Sequence, residues 1–248
     1  SSCVVKVFLP KNATYVDAHT TDFNKTSVDS RQVLNLTKTN LPSFTSETGW
    51  VTFRKTGFKI LEATDLVRKL TLDEWGRIFC FESYSLINRG ADITSLKIRV
   101  PEGTYDISAK NKAGTSLTVQ LQKGNATVPT SATITFSGTP LQKDVESTFT
   151  VMYWLPSKNY VNQYGLRDYN VSLVFFERQD FEWIIRQLTT TIILPEGASF
   201  TQTPKLPRNL GLNARTSLER NTFQEILIIS FHNLTPFHNL SFSLSYSY

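Results

Sequence analysis

Along most of the chain apolar and polar residues alternate with a period of two, and that period predicts β-strands. The clearest case is the C-terminus, where Leu240, Phe242, Leu244, Tyr246 and Tyr248 alternate with Ser241, Ser243, Ser245 and Ser247. Successive side chains of a strand point to opposite faces, so this segment presents one apolar and one hydroxyl face, as a half-buried strand does. Residues 4–8, 116–122, 132–136, 149–155, 171–176 and 226–231 carry the same signal, and 78–81 reads as a further strand. Helix signals are sparse. Residues 181–187 alone have a spacing compatible with a short helical turn, with a loop entering the next strand as the alternative.

A repeat lies beneath the strands. Leu-Pro-Lys-Asn at 9–12, Val-Pro-Glu-Gly at 100–103 and Leu-Pro-Glu-Gly at 194–197 each close a β-rich stretch, and Pro10, Pro101 and Pro195 fall 91 and 94 residues apart. Proline cannot donate to a strand ladder, and a following Gly or Asn accepts positive φ, so each motif ends a strand in a turn. A period of about 90 residues suits sandwich domains of roughly 100 residues. The expected fold is all-β: tandem antiparallel β-sandwich domains of immunoglobulin-like size, preceded by the last strand of an incomplete upstream domain. The expected segments are 1–45, an upstream β domain's end plus a polar linker rich in Thr, Ser and Asn; 49–137, a first sandwich; and 142–248, a second, leading toward a membrane anchor not present in the chain.

Composition supports a folded chain, with 40% hydrophobic and 19% charged residues over 248 positions. Lys and Arg exceed Asp and Glu by 26 to 21, but no Lys/Arg run is longer than two. Nucleic-acid binding needs a clustered basic patch, so no such partner is expected. No apolar run approaches the ~20 residues that span a bilayer.

Seven Asn-x-Ser/Thr sequons start at Asn12, Asn24, Asn35, Asn125, Asn170, Asn233 and Asn239, using seven of fifteen asparagines. They mark candidate N-glycan acceptors on the extracytoplasmic side of a membrane, with Pro236 counting against Asn233. The bland alternative is a Ser/Thr-rich surface with accidental matches. Two cysteines, Cys3 and Cys80, are too few for a disulfide scaffold; a bridge between them would join two different β units, and Cys80 within 78–81 suits a small buried hydrophobe.

Catalytic motifs do not emerge. His19, His232 and His238 lack zinc-site spacing, although a metal shared by His232 and His238 is conceivable; there is no His-Glu-x-x-His, Gly-x-Ser-x-Gly or phosphate-binding glycine loop. A sugar-cleaving sandwich enzyme would need two carboxyls ~5–10 Å apart. Asp73 and Glu74, or Glu177, Asp180 and Glu182, are the candidates. Trp50, Trp75, Trp154 and Trp183 could stack on sugar or anchor an interface, with core packing the commoner fate. No metal, cofactor or catalytic residue is expected.

One ordered series of residues does resemble a known family. Tyr153-Trp154-Leu155-Pro156-Ser157, then Tyr160, Gly165, Tyr169, the strand at 171–176, Asp180, and Leu188 through Ile192-Ile193-Leu194-Pro195-Glu196-Gly197-Ala198 is similar to the second luminal domain of the ribophorin I family. Trp75-Gly76 followed by a strand and Gly90-Ala91 also resembles that family, as does the strand at 5–9 with its linker. The resemblance is strongest over 147–200 and weakest over 104–140 and 200–248. It implies a non-catalytic accessory subunit of the oligosaccharyltransferase complex of protein N-glycosylation. Implied partners are the multispanning catalytic subunit, other membrane subunits and nascent acceptor polypeptide, with the membrane reached through a segment absent here. Implied locations are the endoplasmic reticulum lumen, or the cell exterior for an archaeal counterpart. The competing expectation is a glycosylated cell-surface structural or adhesion protein of tandem sandwiches.

Overall fold

The computed structural model describes all residues except 1, 11–12, 20–22, 29–30, 41, 43–45, 47, 55–58, 126–127, 178–181, 205–213 and 236–239. The chain divides into two compact units, Ser1–Phe58 and Lys59–Tyr248. In the first, β4 (Arg31–Thr39) is the middle strand between β1 (Ser2–Phe8) and β3 (Asn24–Val28), and β2 (Thr14–Ala18) pairs with β5 (Val51–Arg54), all antiparallel. Leu9, Val33 and Leu34 are its largest buried side chains. The stretch expected as a polar linker thus contributes β2, β3 and β4. Its threonines suit a pleated surface, and β4 takes a ladder on both edges, so main-chain pairing compensates for the thin apolar core.

The second unit holds one sheet of ten strands and one of four. The large sheet runs β17 (Arg215–Arg220), β18 (Glu225–Leu234), β15 (Glu182–Ile193), β6 (Ile60–Leu72), β7 (Ile78–Asn88), β12 (Glu146–Leu155), β9 (Tyr105–Asn111), β10 (Ser116–Gln122), β11 (Ser131–Thr135), β8 (Ser95–Arg99). The small sheet runs β13 (Val161–Gln163), β14 (Asp168–Val174), β19 (Ser241–Ser247), β16 (Ser199–Gln202). A four-residue helix, α1 (Ser157–Tyr160), leads into β13. The ladder between β15 and β6 is parallel; the other ladders between these strands are antiparallel.

The architecture follows from one buried face. On β7 the alternation buries Ile78, Cys80, Glu82, Tyr84, Leu86 and Asn88, and on β12 it buries Phe149, Val151, Tyr153 and Leu155. Two layers cover that face along the length of the strands. Where β9 and β10 share only Ser116↔Lys110 and Leu117↔Ala109, the sheet folds over, and Phe136 after β11 meets Phe149 edge-on at 5.3 Å. Beyond it the four-stranded sheet closes the rest: Phe175 packs on Phe231 of β18 at 4.9 Å and on Phe242 of β19 at 4.6 Å. Fully burying such a side chain contributes about 1.5–3 kcal/mol, which makes this sandwich interior the main source of stability.

Three expectations are altered. The boundary expected between the sandwiches at 49–137 and 142–248 falls inside the second unit, because β12 inserts between strands of the earlier segment, with Tyr153 opposite Cys80 and Val151 opposite Ala109. The expected helical turn at 181–187 is strand β15 over its described part, laddered to β6 on one side and β18 on the other. Cys3 and Cys80 are free thiols, not a bridge: Cys3 is exposed on β1, whereas Cys80 is sealed in the core of the other unit. The repeated turns hold where described. Gly103 and Gly197 both sit at φ 78, just after β8 and β15.

Candidate functional site

Beneath the junction of the two covering layers lies a buried ionic cluster. Arg68 of β6 is 0% exposed and Glu82 of β7 3%, with Nε 3.3 Å from Oε1. Strand alternation alone puts them there, since Arg68 takes an inward position between Leu66 and Leu70, and Glu82 one between Cys80 and Tyr84. A buried charge needs partners for its remaining lone pairs and protons. Tyr153 donates its hydroxyl to Glu82 Oε1 at 2.6 Å, and Tyr84 donates to Oε2. Arg68 Nη2 donates to the Tyr153 hydroxyl at 3.3 Å, while Nη1 donates to the carbonyls of Val174 and Phe175, both at 3.1 Å. Those carbonyls belong to the end of β14 and the residue after it, so the guanidinium ties the small sheet to the large one. Burial raises the phenol pKa of both tyrosines well above the usual value and pushes the Cys80 thiol up to about 12. Cys80 is therefore an inert core thiol.

Above the cluster a cavity of about 600 Å³ is lined by Tyr160, Ser172, Val174, Glu177, Gln202 and Ser243, among others. The Pro101–Gly103 turn and α1 meet beside it, where Tyr160 donates its hydroxyl to the carbonyl of Glu102. Burial raises the Glu177 carboxyl, with the Arg68 charge acting against that rise, and burial also raises the Tyr160 phenol. Glu177 is the one carboxylate among the described lining residues. Two-carboxylate glycoside chemistry asks for a second acid facing the same space, and neither Glu74 nor Glu82 lines it. The cavity can hold a small polar group by hydroxyls and one acid.

The other predicted residues are dispersed. Asp73 and Glu74 lie at the β6–β7 turn, where Asp73 Oδ2 pairs with Arg77 Nε at 2.7 Å. Arg77 lies over the rings of Trp75, at 5.4 Å, and of half-buried Trp154, at 5.3 Å, which itself packs on Phe79. Trp75 is 72% exposed and Trp50 is also exposed, while Trp183 is buried against Phe176 and Tyr84. Asp180, His238, Asn12 and Asn239 lie outside the described residues, as does the Glu182 side chain. Asn24 and Asn35 face each other across β3 and β4, and Asn35 Nδ2 donates to Thr26 Oγ1 at 3.1 Å. Asn125 is exposed in the β10–β11 connection, Asn170 sits within β14, and Asn233 is exposed at φ 57. Among the described residues no group of three or more His, Cys, Asp or Glu side chains is placed to hold a metal ion. No described helix is long and apolar enough to cross a membrane.

The Arg68–Glu82 cluster is what sequence reasoning missed. Its signal was available: a charged residue at an inward position of an apolar alternation must find a buried partner.

Fold and site together define an all-β sandwich protein built around a closed, ionically pinned core. Residues 145–248 are similar to the family model of Ribophorin I. No curated protein matches the sequence. Among solved structures the chain is similar to native yeast LTA4 hydrolase, at 9% identity and TM-score 0.45, covering 75% of this chain and 29% of that one. An M1 zinc metallopeptidase from Deinococcus radiodurans gives 10% identity and TM-score 0.45, with 75% and 42% covered. A putative protease from Parabacteroides distasonis gives 11% and 0.42, with 76% and 40% covered. The chain thus spans less than half the length of these structures, and at such scores the likeness carries no argument about fold or chemistry.

Proposed function

We propose that this chain is an extracytoplasmic, non-catalytic part of an oligosaccharyltransferase assembly, holding the membrane-embedded catalytic subunit and presenting acceptor polypeptide to it. The observation that carries the reading is the ribophorin I match over 145–248, which includes β12 to β19. Seven sequons support an extracytoplasmic location. The edges of the large sheet supply a means of engaging polypeptide. β17 ends that sheet, and all six of its residues are exposed. An edge strand offers unpaired N–H and C=O groups to an extended segment, largely independent of its side chains. An acceptor sequon must be reached in many sequence contexts, and main-chain pairing suits that demand.

An extended peptide containing Asn-x-Thr and a photoreactive group tests the peptide role. The expected result is crosslinking within Arg215–Arg220; crosslinks scattered over the surface, unchanged by a proline-containing control peptide, would remove it. Assembly is tested separately, by purification from native membranes.

A further inference from the structure

Turns that face water ordinarily carry polar residues or glycine, so a large apolar side chain exposed in a turn needs a reason. Among the described residues of Lys59–Tyr248, the most exposed large apolar side chains are Leu166 at 90%, Trp75 at 72%, Phe223 at 68% and Tyr164 at 59%. All four lie in turns, and the strand register gathers those turns at one end of the sandwich. Trp75 stands between β6 and β7, whose last pair is Leu72↔Ile78. Phe223 stands between β17 and β18, closed by Arg220↔Glu225. β15 finishes beside both, with Ile193 opposite Thr71 and Ile226. From there the turn at 195–197 passes into β16, where Ser199 pairs with Ser247 of β19. Ser247 pairs in turn with Asp168 at the start of β14. The turn that carries Tyr164 and Leu166 directly precedes Asp168, so it belongs to the same end.

We propose that this end of the sandwich docks on a membrane, with Trp75, Tyr164, Leu166 and Phe223 entering the boundary between headgroups and acyl chains of a zwitterionic bilayer. Side-chain placement carries this independently of the family likeness, so vesicle binding and subunit co-purification can fail separately.

Each turn holds its apolar residue outward on a satisfied backbone. Asp73 Oδ1 accepts from the N–H of Trp75 at 3.0 Å and of Arg77 at 2.8 Å. Asn221 Oδ1 accepts from the N–H of Phe223 at 3.0 Å and of Gln224 at 2.7 Å. Tyr164 N–H donates to Asp168 O at 3.0 Å, and Gln163 Nε2 donates to Leu166 O at 3.2 Å. Side chains presented from closed turns enter a new environment with little further ordering of the chain.

The chemistry favours lipid over a protein face. The apolar tips are separated by Asp73, Gln163 and Asn221, whereas the centre of a protein interface is a closely packed patch depleted of charge. The headgroup boundary accepts apolar side chains one at a time, and it suits Trp and Tyr, which join an apolar ring to a polar tip. Charge at this end is balanced. Arg77 pairs with Asp73 and Arg220 with Glu225, while exposed Glu74 and Glu196 offset exposed Arg167. A surface without basic excess gains nothing from anionic lipid, so the matching bilayer is zwitterionic.

In the test, the full chain is floated with phosphatidylcholine vesicles, and tryptophan emission is compared between ordinary and brominated acyl chains. The chain should float, and bromine should quench a component of the emission that is missing from Trp75→Ser. Leu166→Ser combined with Phe223→Ser should weaken vesicle binding by about tenfold or more, since interfacial binding scales with the apolar area inserted. The melting temperature should not move, because both side chains are mostly in solvent. Val145→Ser combined with Ile184→Ser removes exposed apolar side chains from the opposite end and should leave binding as it is. A chain that does not float, emission untouched by bromine, flotation on anionic vesicles only, or an equal loss in the opposite-end variant would overturn the proposal. Self-association without flotation, abolished by Leu166→Ser with Phe223→Ser, would overturn it in favour of a second copy of the chain.

Discussion

Arg68 and Glu82 stand where the strand alternation calls for apolar side chains, and two tyrosine hydroxyls and two main-chain carbonyls make that arrangement stable. Removing one partner of a buried pair leaves the other charge uncompensated, at a cost of about 3–5 kcal/mol. Glu82→Leu should therefore lower the unfolding free energy by about that amount in urea titrations. Adding Arg68→Leu should recover part of the loss, because the stranded charge goes too. The carbonyls of Val174 and Phe175 would still lack their donor, so recovery should stop short of the parent chain. A double variant no better than Glu82→Leu alone would contradict this account of the cluster. Glu177 makes a pH-dependent contribution of the opposite kind from a surface ion pair. Burial raises its folded pKa, so the folded state holds its proton more tightly than the unfolded state. The stability it contributes is complete below the ordinary glutamate range and is lost as pH rises through its folded value. Glu62 runs the other way: hydrogen bonds from Arg186 and Arg89 lower its pKa, and its contribution is lost as pH falls. Glu177→Gln should raise stability at neutral pH and flatten the decline between acid and neutral pH, measured by denaturation across that range. An unchanged slope would remove Glu177 from the account.

At the scale of elements, the two repeated Pro-Glu-Gly turns share a backbone conformation and differ in surroundings. A side chain at φ 78 costs about 1–2 kcal/mol for conformation alone. At Gly197 an added Cβ meets nothing within 4 Å, whereas at Gly103 it would come 2.8 Å from Asn159 Nδ2 and 3.0 Å from Pro156 Cγ. Gly103→Ala should thus destabilise more than Gly197→Ala in thermal melts; equal or reversed effects would contradict the packing of this turn against α1. These turns were legible because proline and glycine act locally. So was β19, where the serine alternation buries Phe242, Leu244 and Tyr246 as its period requires. β15 was not. Its inward residues step from Trp183 to Ile185 and then to Leu188, and the ladder to β6 steps in the same way from Ala63 to Leu66. A spacing of two followed by three imitates helical periodicity. Only the partner strand, more than a hundred residues away, carries the matching irregularity. For Arg68 the alternation marks an inward charge, but the partners that satisfy it, Tyr153 and the carbonyls of Val174 and Phe175, lie 85 or more residues away along the chain.

For the whole molecule, the repeat predicted consecutive sandwiches, and the chain builds a shared sheet instead. β12 and the parallel β6–β15 ladder lock early and late segments into one unit of 190 residues, Lys59–Tyr248. Distant pairings of this kind leave no mark on local periodicity. The family match covers β12 to β19, and within that stretch β12 ladders to β7 and β15 to β6, the two strands that also carry the Arg68–Glu82 pair. A domain that binds neighbours through fixed edges and surfaces needs such a rigid body. The central claim is that this body belongs to a membrane-bound glycan-transfer assembly. Its most direct test is affinity purification of the full-length protein from native membranes in mild detergent. The account predicts that a multispanning oligosaccharyltransferase subunit comes with it in fixed proportion. Recovery of the protein alone, with no glycosyltransferase in the eluate, would contradict it.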